Sequence, residues 1–254
     1  VRLENLPESS RWYPGAGIYR NVHFIVTDEA HVPVWGTQII TRRADEASAR
    51  VRQCTALAVP QGKSPADYAI ETAVTDPAGR VVARHRQSAG ADFGDHCFEQ
   101  EFTIDRPALW SPDTPALYTS TSEIYEGELK DRYVTVFGIR TVEAVQGEGF
   151  RLNGKPLKFR GVCLHHDLGP LGGIVNESAI RHRIRLLKEM GCNAIRTSHN
   201  MPAPELIEIC DETGMMVMAE SFDEWETKKV ENGYHKEFGQ WAERDLVNLV
   251  RRFR

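Results

Sequence analysis

Leu157-Lys158-Phe159-Arg160-Gly161-Val162-Cys163-Leu164 runs straight into His165-His166-Asp167, a largely apolar stretch that ends in two imidazoles and a carboxylate. The pattern recurs twice. Ala194-Ile195-Arg196-Thr197 is followed by Ser198-His199-Asn200, and Met215 to Ala219 by Glu220-Ser221-Phe222-Asp223-Glu224-Trp225. Short apolar runs bounded by polar residues read as buried strands, and the stretches between them carry helical periodicity. Strands alternating with helices build a parallel sheet with successive strand ends on one face. In a (β/α)8 barrel that face is the active site. Three loops are thus predicted to bring imidazoles, carboxylates and an aromatic to one mouth. A closed barrel has eight strands, and the sequence up to Arg254 accommodates the first three βα units.

The helices have readable limits. Ile180, Ile184 and Leu187 fall at i, i+4 and i+7, Asn176 or Ser178 can cap the start, and Gly191 stops the run. Pro204 suits the first turn of a second helix, which carries Leu206, Ile209 and Cys210 and stops at Gly214. Leu246, Leu249, Val250 and Phe253 form the stripe of a third. Upstream, Phe150-Arg151-Leu152-Asn153-Gly154-Lys155-Pro156 reads as a hairpin, because Asn-Gly favours a tight primed turn.

The first half is β in character. Val32 to Ile40, Val51 to Val59, Tyr68 to Val74, Val81 to His85, Cys97 to Ile104, Leu117 to Tyr125 and Arg132 to Phe137 are alternating runs. Pro60-Gln61-Gly62, Asp76-Pro77-Ala78-Gly79 and Glu126-Gly127 separate some of them. Seven short strands over this span predict an immunoglobulin-like sandwich, without the cysteine and tryptophan spacing of antibody domains. Val1 to Ala30 is too short to fold alone and reads as the end of a preceding domain. Its run Arg11 to Arg20 mixes aromatics with glycines; a structural strand connection is the expected role, a sugar-stacking loop the alternative. The predicted organisation is therefore 1–30, 31–146 and 147–254.

Composition excludes several classes. Of 254 residues, 41% are hydrophobic and 26% charged, an ordinary globular balance, and the net charge is −5. No basic tract precedes Arg251-Arg252-Phe253-Arg254, so no nucleic-acid footprint is expected. No apolar stretch nears the roughly 20 residues of a membrane span. No signal-peptide pattern is visible, and a start at Val1 rather than Met points to a fragment or processed form. Cytoplasmic and periplasmic locations both stay open. Cys163, Cys192 and Cys210 lie in apolar patterns and are expected to be buried free thiols. Whether Cys54 and Cys97 pair across the sandwich is left open by their spacing.

Four stretches taken together resemble glycoside hydrolase family 2, which holds β-galactosidases, β-glucuronidases and β-mannosidases. Trp12-Tyr13-Pro14-Gly15-Ala16-Gly17-Ile18-Tyr19-Arg20-Asn21-Val22 resembles the close of that family's jelly-roll domain. Leu109-Trp110-Ser111-Pro112-Asp113-Thr114-Pro115-Ala116-Leu117-Tyr118, with Phe137-Gly138-Ile139-Arg140, resembles the end of its immunoglobulin-like domain. Asn153 to Val162 resembles the entry to its catalytic barrel, and Asn193-Ala194-Ile195-Arg196-Thr197-Ser198-His199 its second strand.

The resemblance implies a retaining glycosidase in which one glutamate protonates the leaving oxygen and a second attacks the anomeric carbon. In the family the first follows strand four in an Asn-Glu pair and the second follows strand seven. Neither has a counterpart here, since Asn176-Glu177 precedes the first helix. The chain alone is therefore expected to be inactive, with no catalytic residue of its own.

What the resemblance assigns is the sugar pocket. His165, His199, Glu220, Asp223 and Trp225 are implied to bind substrate, and Arg196 to sit near the nucleophile and keep it ionised. The competing readings are ordinary ones. In them His166 and Asp167 cap a loop, Arg196 forms a structural ion pair, Trp225 joins the core, and His165-His166-Asp167 with His199 hold zinc. Magnesium-dependent relatives carry Glu-x-His after strand three. Glu224-Trp225-Glu226 lacks that histidine, so no metal or other cofactor is expected. The expected partner is an oligosaccharide or β-glycoside, with homo-oligomerisation at full length and neither nucleic acid nor membrane. A non-catalytic carbohydrate-binding or scaffold module is the rival reading.

Overall fold

The computed structural model describes residues 2–13, 15–88 and 97–253. It forms two compact units, one of Phe24–Lys158, the other of Val1–His23 with Phe159–Arg254.

The first unit is an antiparallel sandwich. Strands β1 (Thr37–Ala44), β2 (Ser48–Ala56) and β5 (Cys97–Asp105) make one sheet in the order β1-β2-β5. Strands β3 (Ala69–Thr75), β4 (Val81–Ser88), β6 (Tyr118–Glu126) and β7 (Glu128–Phe137) make the other, in the order β4-β3-β6-β7. The seven strands match the seven alternating runs of the sequence. On β5 the inward positions Phe98, Gln100, Phe102 and Ile104 are all buried, the period-2 pattern of a strand with one face on a core.

That core is divided by a polar band. Ala30, Val32, Leu57, Tyr68, Ile70, Phe98 and Ile124 cluster at one end, and Ala49, Val51, Val74, Phe102, Ile104, Tyr118 and Ile139 at the other. Between them in the strands lie buried Gln53, Thr55, Thr72, Gln100, Ser120 and Ser122. Gln53 organises the band: its amide donates to Thr55 Oγ1 and Ser122 Oγ at 2.9 Å each, and its Oε1 accepts from Ser120 Oγ at 2.6 Å. Mutual pairing offsets the desolvation that burying these groups costs.

Cys54 and Cys97 are disulfide-bonded with Cα atoms 5.9 Å apart. The bond joins neighbouring strands β2 and β5 of one sheet, and does not cross the sandwich. After the sandwich strands in sequence, β8 (Val142–Val145), β9 (Gly149–Leu152) and β10 (Lys155–Pro156) form a small sheet. Its tight turn is Asn153-Gly154, with φ of +50° and +73°. Glycine meets the second value without steric cost, as the hairpin reading requires.

The second unit holds three parallel strands, β11 (Gly161–Leu164), β12 (Ala194–Thr197) and β13 (Met216–Met218), in that order. Helix α1 (Glu177–Glu189) links the first two and α2 (Pro204–Thr213) the next two. Asn176 caps α1, its side chain accepting from Ala179 N, and Gly214 ends α2 in the left-handed conformation. Ile180, Ile184, Leu187, Ile195, Ile209, Cys210 and Met215 form the core between helices and sheet. Cys163 departs from expectation. It is exposed, Cys192 is half-buried and Cys210 alone is buried. On β11, Val162 and Leu164 pack into the helix-side core, so strand alternation sends Cys163 to the other face. Helix α3 (Phe238–Phe253) has no buried residue, and Leu246 and Val250 on its apolar stripe are half exposed. Among the described residues no helix is long and apolar enough to cross a membrane.

Candidate active site

The parallel register places the ends of β11, β12 and β13 side by side, Leu164 opposite Thr197 and Arg196 opposite Met218. His165 follows β11 directly, and His199 and Glu220 lie two residues past the ends of β12 and β13. Buried Thr197 accepts from the Glu220 backbone N–H at 3.0 Å, which fixes the carboxylate beside strand β12. Glu220 spans two partners: Oε1 accepts from Arg196 Nε, and Oε2 lies 2.8 Å from His199 Nδ1. Arg196 also reaches Cys163 Sγ at 3.7 Å. The Glu220 hydrogen bond, and after it that of Cys163, hold the guanidinium proton more firmly than usual. The Ser198–His199 peptide is cis.

These contacts bear on the tautomers. His199 Nδ1 lies 2.8 Å from Glu220 Oε2 and 3.5 Å from Arg196 Nη2, and the shorter contact, to an oxygen that only accepts, favours the proton on Nδ1. His165 Nδ1 stands 2.8 Å from the Ser198 carbonyl oxygen, which can only accept. Where such a ring is neutral, Nδ1 donation leaves its Nε2 a lone pair able to accept a hydroxyl hydrogen. The rings are 5.8 Å apart at 72°.

A third ring completes the cluster. Trp12 stacks on His165 at 5.1 Å and 7°, and meets His199 edge-on at 5.4 Å and 70°. The neighbouring Arg11 grips Asp223 with two nitrogens, at 2.6 and 3.3 Å, across 212 residues of sequence. Lys229 Nζ adds a 3.4 Å contact to Asp223 Oδ1 and donates to its carbonyl at 2.5 Å. Burial pushes the Asp223 carboxyl up, but the Arg11 hydrogen bond and the charges of Lys229 and Arg11 outweigh it and hold it low. Arg11 thus ties the start of its run to the loop after β13, and Trp12 lies on the imidazoles.

The loop after β13 is organised by Glu224. Its side chain is 2% exposed, Oε2 accepts from Lys229 N at 2.7 Å, and Oε1 accepts from His235 N at 3.0 Å and His235 Nδ1 at 2.7 Å. Burial pushes the carboxyl up; the His235 and Lys229 hydrogen bonds outweigh it and bring it down to about 2. Gly233 makes the packing possible, since a Cβ there would lie 1.7 Å from Glu224 Oε1.

His165, His199, Glu220 and Arg196 therefore converge. Asp223 lies in the same unit with both oxygens occupied by cations, and Trp225 is 68% exposed with no ring contact among the described residues. His166 stacks on Tyr19 at 5.2 Å and 9°. It helps line a small cavity of about 40 Å³ with Leu168, Ile180, Arg183 and Leu206. No group of three or more His, Cys, Asp or Glu side chains is gathered to hold a metal among the described residues. Trp12 is the member that sequence reading missed as a site residue; only its place in an aromatic and glycine-rich run hinted at it.

A sandwich followed in sequence by parallel βα units with this strand-end cluster is the layout of a barrel glycosidase. The profile described as "Glycosyl hydrolases family 2, TIM barrel domain" matches residues 143–244, and that described as "Glycosyl hydrolases family 2" matches 31–140. The chain belongs to glycosyl hydrolase family 2. It is 44% identical over its whole length to the β-galactosidase BoGH2A of Bacteroides ovatus, of which it spans 30%. To a β-glucuronidase of Bacteroides fragilis it is 27% identical over 80% of its length, spanning 30% of that protein. Among solved structures, a family 2 member from Bacteroides cellulosilyticus superposes with a TM-score of 0.90 at 34% identity, over 96% of this chain and 32% of that one. A β-glycosidase from Bacteroides vulgatus gives 0.87 at 32%, over 96% and 31%.

Proposed function

We propose that this chain is the sugar-holding part of a retaining β-galactosidase that hydrolyses terminal non-reducing β-linked galactose. The observation that carries the reading is the Arg196–Glu220–His199 network, with His165 beside it, at the ends of three adjacent parallel strands. In this reading the Nε2 atoms of His165 and His199 accept hydroxyl hydrogens from the sugar in the subsite where cleavage occurs. Glu220 orients His199 and Arg196. The Arg196 charge favours the ionised form of the nucleophilic glutamate, as a nearby opposite charge does for any carboxyl. Asp223 and Trp225 extend the pocket on the strand-three side, Trp225 offering an exposed indole face to the apolar side of a sugar. The acid and the nucleophile, about 5–5.5 Å apart in a retaining enzyme, come from parts of the full-length protein outside this chain. The preference for galactose rests on the name of the Bacteroides ovatus relative at 44% identity.

The test is a substrate panel. Full-length enzyme should cleave an aryl β-galactoside with kcat/KM at least tenfold above the matching β-glucuronide and β-mannoside, a difference of about 1.4 kcal/mol in transition-state binding. A preference for the glucuronide, which the Bacteroides fragilis relative's name suggests, would replace the galactoside assignment. The 254-residue chain itself, purified from a host lacking β-galactosidase, should turn over none of the three. Turnover abolished by Glu220→Gln would move the chemistry to strand β13.

A further inference from the structure

We propose that Trp12 is a positioning residue for this site and that Arg11 anchors it there; the inference rests on the sugar-pocket reading above. Each imidazole is tied by a single nitrogen, His165 to the Ser198 carbonyl and His199 to Glu220. One hydrogen bond fixes a ring's tautomer but leaves it free to tilt about that bond. Trp12 removes the remaining freedom for both rings at once, by a near-parallel stack on His165 and an edge contact with His199. Its effect is to hold both Nε2 lone pairs in fixed directions, where small misplacements cost rate.

Arg11 determines where Trp12 sits. Its two-nitrogen grip on Asp223, an acid 12% exposed, ties residue 11 to the loop after β13 while residue 12 lies on the groups after β11 and β12. Two consecutive residues thus touch the loops following all three strands. The grip has a direct alternative user in Lys229, which also contacts Asp223, so Arg11 is expected to matter less than Trp12. The indole N–H is buried without a hydrogen-bond partner among the described residues. A phenyl ring in its place would strand no acceptor and would keep a face for stacking, which makes the substitution series informative.

The experiment compares Trp12→Phe and Trp12→Leu in the full-length enzyme with an aryl β-galactoside, alongside wild type and His199→Ala, with thermal melts on each. Trp12→Leu, which keeps bulk but removes the ring, should lower kcat about tenfold with KM within about twofold. Trp12→Phe should recover to within about threefold of wild type. Arg11→Gln should lower kcat about threefold. A Trp12→Leu enzyme with wild-type kcat, or Leu and Phe variants equally impaired, would overturn the proposal while a deficient His199→Ala leaves the sugar-pocket reading standing. An unimpaired His199→Ala would remove that reading and this inference with it. A Trp12→Leu loss that tracks a fall in melting temperature and is not rescued by Phe would assign Trp12 to folding alone.

Discussion

Glu224 shows how far a residue's role can depend on what the chain does next. In sequence it stands between two other acids, Asp223 and Glu226. In the fold it is a buried strut, because His235 and Lys229 return their backbone donors to it. The free carboxyl reference is 4.5 and the folded value about 2. A depressed carboxyl stabilises the fold above the unfolded value and loses that contribution as pH falls through the folded one. The 220–237 loop should therefore loosen as pH falls from about 4.5 towards 2, followed by Trp225 fluorescence. Glu224→Gln should remove that transition and cost about 1–3 kcal/mol at neutral pH, the penalty for disturbing a buried hydrogen-bonded group. Loosening that persists unchanged in Glu224→Gln would assign it to other groups. Asp223 carries the same lesson: the sequence places a carboxylate in the loop, and only the fold reveals that Arg11 holds it.

Elements were more legible than the contacts between them. Helices α1 and α2 could be read to their ends because Asn176, Pro204 and Gly214 act locally, through capping, a fixed φ and a left-handed stop. The seven sandwich strands were legible from period-2 alternation. The polar band across the sandwich was not, since Gln53, Ser120 and Ser122 occupy inward positions that a hydrophobic pattern reads as interruptions. Their pairing is long-range, 67 and 69 residues apart. Gln53→Leu should destabilise the protein by about 1–3 kcal/mol, because it leaves buried hydroxyls without partners; chemical denaturation reads this directly. A neutral or stabilising outcome would show that the band is held by Thr72 and Gln100 instead. Cys163 was misread for a related reason. An apolar-looking strand with helices on one face still has a second face, and Cys163 lies on it beside Arg196.

At the scale of the molecule, family and fold class were legible because four motifs fall in order along nearly the whole chain. The site was legible in part. His165, Arg196, His199 and Glu220 each follow or end a strand, and parallel topology alone brings such positions together. Trp12 was missed because its placement on the imidazoles follows from the first 23 residues packing with the barrel units, which no local pattern encodes. The central claim is that this strand-end cluster holds the sugar being cleaved. Its most direct test is kcat/KM for an aryl β-galactoside measured on full-length enzyme and on His199→Ala with melting temperature unchanged. His199→Ala should lose at least tenfold, about 1.4 kcal/mol of transition-state stabilisation; an equal kcat/KM in a correctly folded variant would contradict the sugar-holding role.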